Sequence, residues 1–212
     1  MIELKTFVFN PFQENTYLLS DDSGECIIID AGCYYEEEYK QLFNFISSNK
    51  LKPVKLINTH GHIDHILGVP NISKYYNLKP EFHKEELYLV DDAVNQGIIF
   101  GINIVPLPKI DSYLDENIDI KFGHSQLKVL HVPGHTKGSV AFVSESDKLI
   151  ITGDVIFKGS IGRTDLPGGD FNTLKQSIIN KILKFNDDFQ IFPGHGPSSN
   201  IGEEKATNPY LI

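Results

Sequence analysis

The chain has 212 residues, of which 41% are hydrophobic and 22% are charged, and its formal net charge at pH 7 is −9. These values are ordinary for a globular enzyme or binding module that is long enough to bury a sizeable core. The acidic charge argues against nucleic acid as the partner, because a phosphate surface attracts a basic protein.

The sequence contains no segment that predicts export or membrane insertion. The first ten residues lack the basic and apolar regions of a signal peptide, and the apolar windows are far shorter than a membrane span. The two cysteines, Cys26 and Cys33, are too few for a disulfide framework in a chain of this size. We therefore expect free thiols, a cytoplasmic location and no membrane partner.

The first half of the chain is predicted to contain strands and two helices. Runs rich in β-branched or aromatic residues predict strands at 2–10, 15–20, 25–30 and 54–59. Residues 34–49 predict an amphipathic helix with acidic side chains in its first turn, and residues 84–97 predict a second helix.

The second half repeats this pattern loosely. It predicts strands at 118–123, 126–134, 139–146, 148–154 and 189–195. A helix over 170–185 would place Leu174, Ile178 and Ile182 on one face. Two blocks of strands, each followed by a helix, predict two packed sheets with helices outside. No linker separates independent domains, so we expect one domain over 1–212.

Three histidines and one aspartate occupy six consecutive positions in the run HGHIDH. In an extended segment His60 and His62 point to the same side, and Gly61 between them lets the backbone bend. We expect Asp64 and His65 in the same tight turn. Imidazole and carboxylate together suit zinc, iron or manganese, so this run predicts a metal site.

Three later positions have the same character. Each is a ligand-type side chain at or just after the end of a predicted strand, directly preceded by glycine: His135, Asp154 and His195. A glycine at such a junction lets the backbone turn sharply or approach another group closely. Together with the first cluster, these positions strongly favour a metal centre built from several strand ends.

The motifs THGHIDH, PGHTKGS, TGD and PGHG, in this order, resemble those of the metallo-β-lactamase superfamily. The segments NPFQENTYLL, GRTDLPGGD and PGHGPSSNIGEEKATNPYL are similar to its short glyoxalase II-like group, the hydroxyacylglutathione hydrolase-like enzymes. The resemblance covers nearly the whole chain. It implies an α/β fold, an αββα four-layer sandwich of two mixed sheets flanked by helices, with the site at one edge of the sheets.

The resemblance also implies two divalent metal ions, with zinc expected before iron or manganese. Carried over by position, one metal is bound by His60, His62 and His135, the other by Asp64, His65 and His195, and Asp154 bridges them. The count agrees with this, because seven ligands exceed the needs of one tetrahedral zinc and suit two metals roughly 3.5–4 Å apart.

Such a pair of ions predicts a hydrolase. Two cations lower the pKa of a bound water to about 7, and the resulting bridging hydroxide would attack an acyl carbonyl. Asp64 is expected to orient this hydroxide as well as to bind metal. A thioester suits the site, since a thiolate with a pKa near 8.5 leaves with little help from an acid. We therefore expect a small-molecule acyl substrate, a thioester before other esters.

Two further residues are predicted to support the site. Asp30 ends a strand where the family places an acid behind a metal-binding histidine; the alternative is a turn cap. Arg163 is the single arginine among 19 basic residues, and a bidentate pair with Asp165 is preferred over contact with a substrate carboxylate. The remaining histidines are expected away from the metals: His83, His124 and His131.

Two alternative functions stay open from the sequence. Persulfide dioxygenases are similar around GRTD but use a single iron, held by two histidines and one aspartate, whereas LPGGD favours the hydrolases. The alternative of another class is a metal-binding module without turnover, which the complete ligand set disfavours. Full-length glyoxalase II enzymes carry a C-terminal helical region that binds glutathione, and we expect no such domain here.

Overall fold

The computed structural model describes residues 1–211 and contains two six-stranded sheets. The first contains Glu3–Phe9 (β1), Glu14–Ser20 (β2), Glu25–Ile29 (β3), Lys52–Ile57 (β4), Pro80–His83 (β5) and Tyr113–Leu114 (β6), in that spatial order. The second contains Ile120–Phe122 (β7), Ser125–His131 (β8), Val140–Ser144 (β9), Leu149–Gly153 (β10), Gln190–Pro193 (β13) and Ser199–Asn200 (β14). Its order is β14-β13-β10-β9-β8-β7. A small hairpin joins Ile156–Phe157 (β11) and Ser160–Ile161 (β12).

Both sheets are mixed, as expected. In the first sheet β1, β2 and β3 pair antiparallel, and β3, β4, β5 and β6 pair parallel. In the second sheet only β10 and β13 pair parallel. Residues 1–211 contain seven α-helices: Glu36–Ser48 (α1), Ile63–Ile66 (α2), Val69–Tyr76 (α3), Leu87–Asp91 (α4), Ala93–Phe100 (α5), Phe171–Ser177 (α6) and Ile201–Thr207 (α7).

Three hydrophobic layers hold these elements together. The central layer lies between the sheets, and each outer layer lies between one sheet and its helices. Strand β3 shows why, because successive side chains point to opposite faces of a sheet. Cys26 and Ile28 join the outer layer with α1 and α3, while Ile27 and Ile29 join the central layer. The αββα sandwich is therefore confirmed.

The predicted helix over 84–97 is interrupted. Lys84–Glu86 forms a 3₁₀ turn, and α4 ends at Asp91 before α5 begins at Ala93. At the break, the Gln96 side chain folds back and donates a hydrogen bond to the carbonyl oxygen of Leu89 at 2.8 Å. This buried backbone carbonyl thereby gains a hydrogen-bond partner. A side-chain contact of this kind does not change the periodicity of apolar residues in the sequence, so the sequence does not predict the break.

The predicted helix over 170–185 begins as expected but changes its winding. The Asp170 side chain accepts a hydrogen bond from Thr173 N and caps α6, which passes into a π-helical segment over Ile178–Ile182. Leu174, Ile178 and Ile182 are all fully buried, so the predicted apolar face is confirmed.

Both cysteines are buried free thiols, as expected. Burial raises the pKa of Cys26 to about 12, which keeps the thiol protonated and unreactive. None of the helices within residues 1–211 combines the length and the apolar character needed to cross a bilayer. Residue 212, the last of the expected domain, lies outside the described residues.

Candidate metal centre

The predicted ligand residues meet where strands of both sheets end. His60 follows β4, Asp154 follows β10 directly, and His195 follows β13. Two backbone hydrogen bonds fasten the sheets to each other here, from Val140 N to Thr59 O at 2.9 Å and from Asn15 N to Gly194 O at 2.7 Å. The site therefore lies on the seam between the sheets. The expected tight turn at Asp64 and His65 is wrong, because both lie in the short helix α2.

One group of ligand atoms consists of three buried imidazoles. His62 Nδ1 lies 2.8 Å from His135 Nε2, which lies 3.3 Å from His60 Nε2. Ligand nitrogens about 2.0–2.1 Å from a zinc ion lie about 3.3 Å apart in a tetrahedron. The three nitrogens thus converge at a spacing that suits one metal.

A second group consists of one carboxylate and two imidazoles. Asp64 Oδ2 lies 3.0 Å from His195 Nε2 and 3.8 Å from His65 Nε2. His65 is fully buried, whereas the His195 side chain keeps 28% of its surface exposed. This group therefore opens toward solvent on the side of His195.

Asp154 contacts both groups. Its Oδ2 lies 3.7 Å from His135 Nε2 and 3.6 Å from His195 Nε2, and its Oδ1 lies 3.4 Å from His65 Nε2. Three buried atoms of this cluster, His62 Nε2, His65 Nε2 and Asp154 Oδ1, have no hydrogen-bond partner within residues 1–211. Buried polar atoms are nearly always paired, so the cluster fits bound cations.

The protonation states of the histidines follow from their surroundings. Burial and neighbouring imidazoles lower the pKa of His60 well below its ordinary value and that of His62 to about 3. Burial also lowers the pKa of His135. These imidazoles are therefore neutral at physiological pH, the form that binds metal. Burial alone would lower the pKa of His65, but nearby carboxylates, Asp64 foremost, outweigh it and raise the pKa.

The other ring nitrogen of several histidines is held by a neighbouring residue. His65 Nδ1 lies 3.0 Å from Asp30 Oδ2, and His60 Nδ1 lies 3.0 Å from Thr59 Oγ1. The Asp30 carboxylate also accepts hydrogen bonds from Thr59 N and Thr59 Oγ1, both at 2.6 Å. Such contacts orient a metal-binding imidazole, so Asp30 lies where the resemblance placed it.

Arg163 contributes through its backbone. Its guanidinium forms the expected bidentate pair with Asp165, with both distances at 2.7 Å. Its carbonyl oxygen lies 2.8 Å from His135 Nδ1 and holds that ring. Sequence patterns missed this contact, because every residue has a carbonyl and only the fold selects one.

The NPFQENTY segment holds the loop that carries His195. Asn15 Nδ2 donates to Pro193 O and to Gly196 O, both at 2.9 Å, so one amide spans His195. The Tyr17 hydroxyl donates to Pro193 O at 2.6 Å. The sequence motif indicates only the subgroup, whereas the structure shows that the segment supports the loop of His195.

Replacing Asn15 with alanine is expected to lower the free energy of unfolding by about 1–3 kcal/mol, because two hydrogen bonds of the buried Asn15 amide are lost, each worth about 0.5–1.5 kcal/mol. Urea denaturation of the protein measures the change. Asn95→Ala is the matched control, since the exposed Asn95 amide donates to the exposed Asp92 side chain and, among the described residues, to no buried group. Equal stability of the two variants would contradict a supporting role for Asn15.

The other three histidines lie outside the cluster, as expected. His131 Nε2 lies 2.9 Å from Lys137 O, and its ring stacks on that of His83 with centroids 4.2 Å apart. His83 caps the 3₁₀ turn by accepting a hydrogen bond from Glu85 N. His124 pairs with the exposed Asp22.

The family model described as Metallo-beta-lactamase superfamily matches residues 9–195. The chain belongs to this superfamily. Within the superfamily it is 36% identical over 207 residues to a Haemophilus influenzae protein named hydroxyacylglutathione hydrolase GloC, covering 94% of this chain and 93% of that protein.

Two solved structures are also similar to this chain. One is of BLEG-1 B3 metallo-beta-lactamase, with a TM-score of 0.91, 32% identity, and coverage of 99% of this chain and 100% of that one. The other is of TTHA1623 in a di-iron-bound form, with a TM-score of 0.87, 33% identity, and coverage of 98% and 100%. The fold and the His/Asp clusters imply divalent metal ions in this chain.

Proposed function

We propose that this protein is a dinuclear metal-dependent hydrolase that acts on a thioester. The observation that carries the proposal is the contact of Asp154 with both groups of ligand atoms. His60, His62 and His135 would hold one ion, Asp64, His65 and His195 would hold the other, and Asp154 would bridge them. A di-iron form of a relative with 33% identity supports two ions.

When bound, two divalent ions would acidify water to a pKa of about 7 and polarise a substrate carbonyl. Asp64 faces the cavity beside the cluster, where its carboxylate can accept a hydrogen bond from the attacking water and hold its orientation. Four of the histidines, His60, His62, His65 and His135, are buried, so the packing around them holds their rings in place. Such preorganisation lowers the cost of reaching the transition state.

The cavity beside the cluster suits a small acyl group. Its volume is about 290 Å³, and besides polar cluster residues it is lined by four apolar side chains: Phe12, Ile63, Phe100 and Leu166. The rings of Phe12 and Phe100 meet edge to face with centroids 5.7 Å apart. Apolar walls with a few directed polar groups are typical of small-molecule sites. Together with the relative named hydroxyacylglutathione hydrolase, this supports a thioester.

Removing the metals with a chelator is expected to abolish thioester hydrolysis, and adding Zn²⁺, Fe²⁺ or Mn²⁺ is expected to restore it. The loss follows because the carbonyl and the water then have no cation to polarise them. Metal analysis should give two equivalents, and a panel of thioesters, lactones, β-lactams and persulfides should show the highest kcat/KM with a thioester.

Other results of the same panel would contradict the proposal and indicate a different function. One equivalent of iron with oxygen uptake on a persulfide would indicate a dioxygenase. Turnover of a β-lactam above every thioester would indicate a lactamase, the activity named for one structural relative. Two bound metals without turnover of any substrate would indicate a metal-binding module.

A further inference from the structure

Glu86 is a fully buried carboxylate at the end of the 3₁₀ turn Lys84–Glu86. Its Oε2 accepts a hydrogen bond from Gly61 N at 2.7 Å. Its Oε1 accepts hydrogen bonds from Gly138 N at 2.7 Å and from Thr136 Oγ1 at 2.6 Å. A glutamate is rarely buried unless strong hydrogen bonds compensate its lost hydration, so these contacts explain how it is tolerated.

All three donors belong to loops that carry one group of ligands. Gly61 lies between His60 and His62, and Thr136 directly follows His135. The two loops are distant in sequence, with 73 positions between His62 and His135. One carboxylate therefore links the two chain segments whose imidazoles converge.

The glycines at both contacts permit this close approach. A Cβ atom on Gly138 would lie 2.9 Å from Glu86 Oε1. A Cβ atom on Gly61 would lie 3.3 Å from Glu86 Oε2 and 3.0 Å from Leu89 Cβ. A larger residue would push the carboxylate away from either loop. Each of the two loops therefore has a glycine at the position where its backbone packs against the Glu86 carboxylate.

The second group of ligands is held by other residues. Asp30 contacts His65, and Asn15 spans the loop of His195. Within residues 1–211, the Glu86 carboxylate makes no hydrogen bond to Asp64, to His65 or to the loop of His195. Asp30 also reaches His60 through Thr59, whereas the Glu86 contacts are confined to the loops of the three-histidine group.

We propose that Glu86 is a positioning residue that sets the distance of His135 from the His60–His62 pair. Its loss would weaken the three-histidine metal site and leave the other site intact. This inference rests on the ligand assignment of the proposed function. It does not depend on the substrate, because metal affinity is the measured quantity.

The test is Glu86→Gln, measured in two single-site backgrounds. Glutamine keeps the volume, but its amide nitrogen must face at least one of the N–H or O–H donors, so one link is lost. Asp64→Ala removes a ligand of the second site and leaves the three-histidine site. His62→Ala removes a ligand of the three-histidine site and leaves the second. Zn²⁺ affinity is measured by chelator competition in each background.

We expect Glu86→Gln to weaken Zn²⁺ binding by about 10–100-fold in the Asp64→Ala background, the range typical of residues that support ligands. In the His62→Ala background the affinity should be unchanged. The matched control is Glu85→Gln, which makes the same charge change at the adjacent exposed position and should alter neither affinity. Equal weakening in both backgrounds, or no change in either, would overturn the proposal.

Thr136→Val provides a milder probe if Glu86→Gln does not fold. It removes one of the three donors and keeps the carboxylate. A smaller loss of affinity, confined to the Asp64→Ala background, is expected, and a loss confined to the other background would contradict the proposal. If the Asp64→Ala protein itself binds two Zn²⁺ ions, the ligand assignment is wrong, which separates that failure from a failure of the Glu86 proposal.

Discussion

Replacing Asp154 with alanine is expected to lower kcat/KM for the hydrolysed acyl substrate by on the order of 10³ or more. Among the described residues, the Asp154 carboxylate lies within 3.7 Å of ligand atoms in both groups, so its loss weakens both metal positions at once. Cations that polarise a carbonyl contribute several kcal/mol to the rate, and each 1.4 kcal/mol is about tenfold.

Steady-state kinetics and metal analysis of the folded variant test this expectation together. The bound metal should fall below two equivalents. Asp188→Ala is the matched control, because Asp188 is an exposed aspartate that pairs with Lys148 on the surface. A variant that keeps two metals and wild-type turnover after loss of Asp154 would show that the bridging assignment is wrong.

Replacing Gly194 with alanine is expected to lower kcat/KM by about 100-fold or more, although the residue carries no reactive group. An added Cβ atom would lie 2.2 Å from Asp154 Oδ1 and 2.7 Å from His65 Cε1. These distances are too short for non-bonded atoms, so at least one of the two side chains must shift within the closely packed site. A displacement of about 1 Å at a reacting group costs roughly 10²-fold in rate.

The neighbouring glycine of the same motif provides the control. At Gly196 an added Cβ atom meets nothing within 4 Å, but the residue has a φ of +73°. Gly196→Ala should therefore cost about 1–2 kcal/mol of stability through backbone strain and keep most of the activity. Urea denaturation and kcat/KM, measured on both variants, separate the two effects. Equal activity of the two variants would argue against the close contact at Gly194.

Local sequence patterns predicted the strands of the core and helix α1 well. Successive apolar residues in 25–30 and 148–154 indicate strands buried on both faces, and the structure places their side chains alternately in two hydrophobic layers. Such patterns depend on the period of the backbone, which the sequence displays directly. Helices α4 and α5 were merged in the prediction, because their separation depends on the contact of Gln96 with Leu89.

The ligand-type residues could be predicted because their side chains carry distinctive chemistry. Three histidines and an aspartate in six positions, with further candidates at three strand ends, suffice to indicate a metal centre. The structure brings six of them together as two groups of three, and the Asp154 carboxylate lies within 3.7 Å of ligand atoms in both groups. Their roles as ligands and that of Asp64 in catalysis stay predictions that metal analysis and kinetics will decide.

The amino-acid sequence sufficed to predict the family, the layered fold and the chemical types of the side chains available for metal. Which groups hold those side chains in place follows from long-range packing. Glu86 is one of 28 acidic residues, and the fold places it between two loops distant in sequence. The Arg163 carbonyl contacts His135 for the same reason. A backbone donor or acceptor is present at nearly every residue, so its partner is selected by long-range packing and leaves no local pattern.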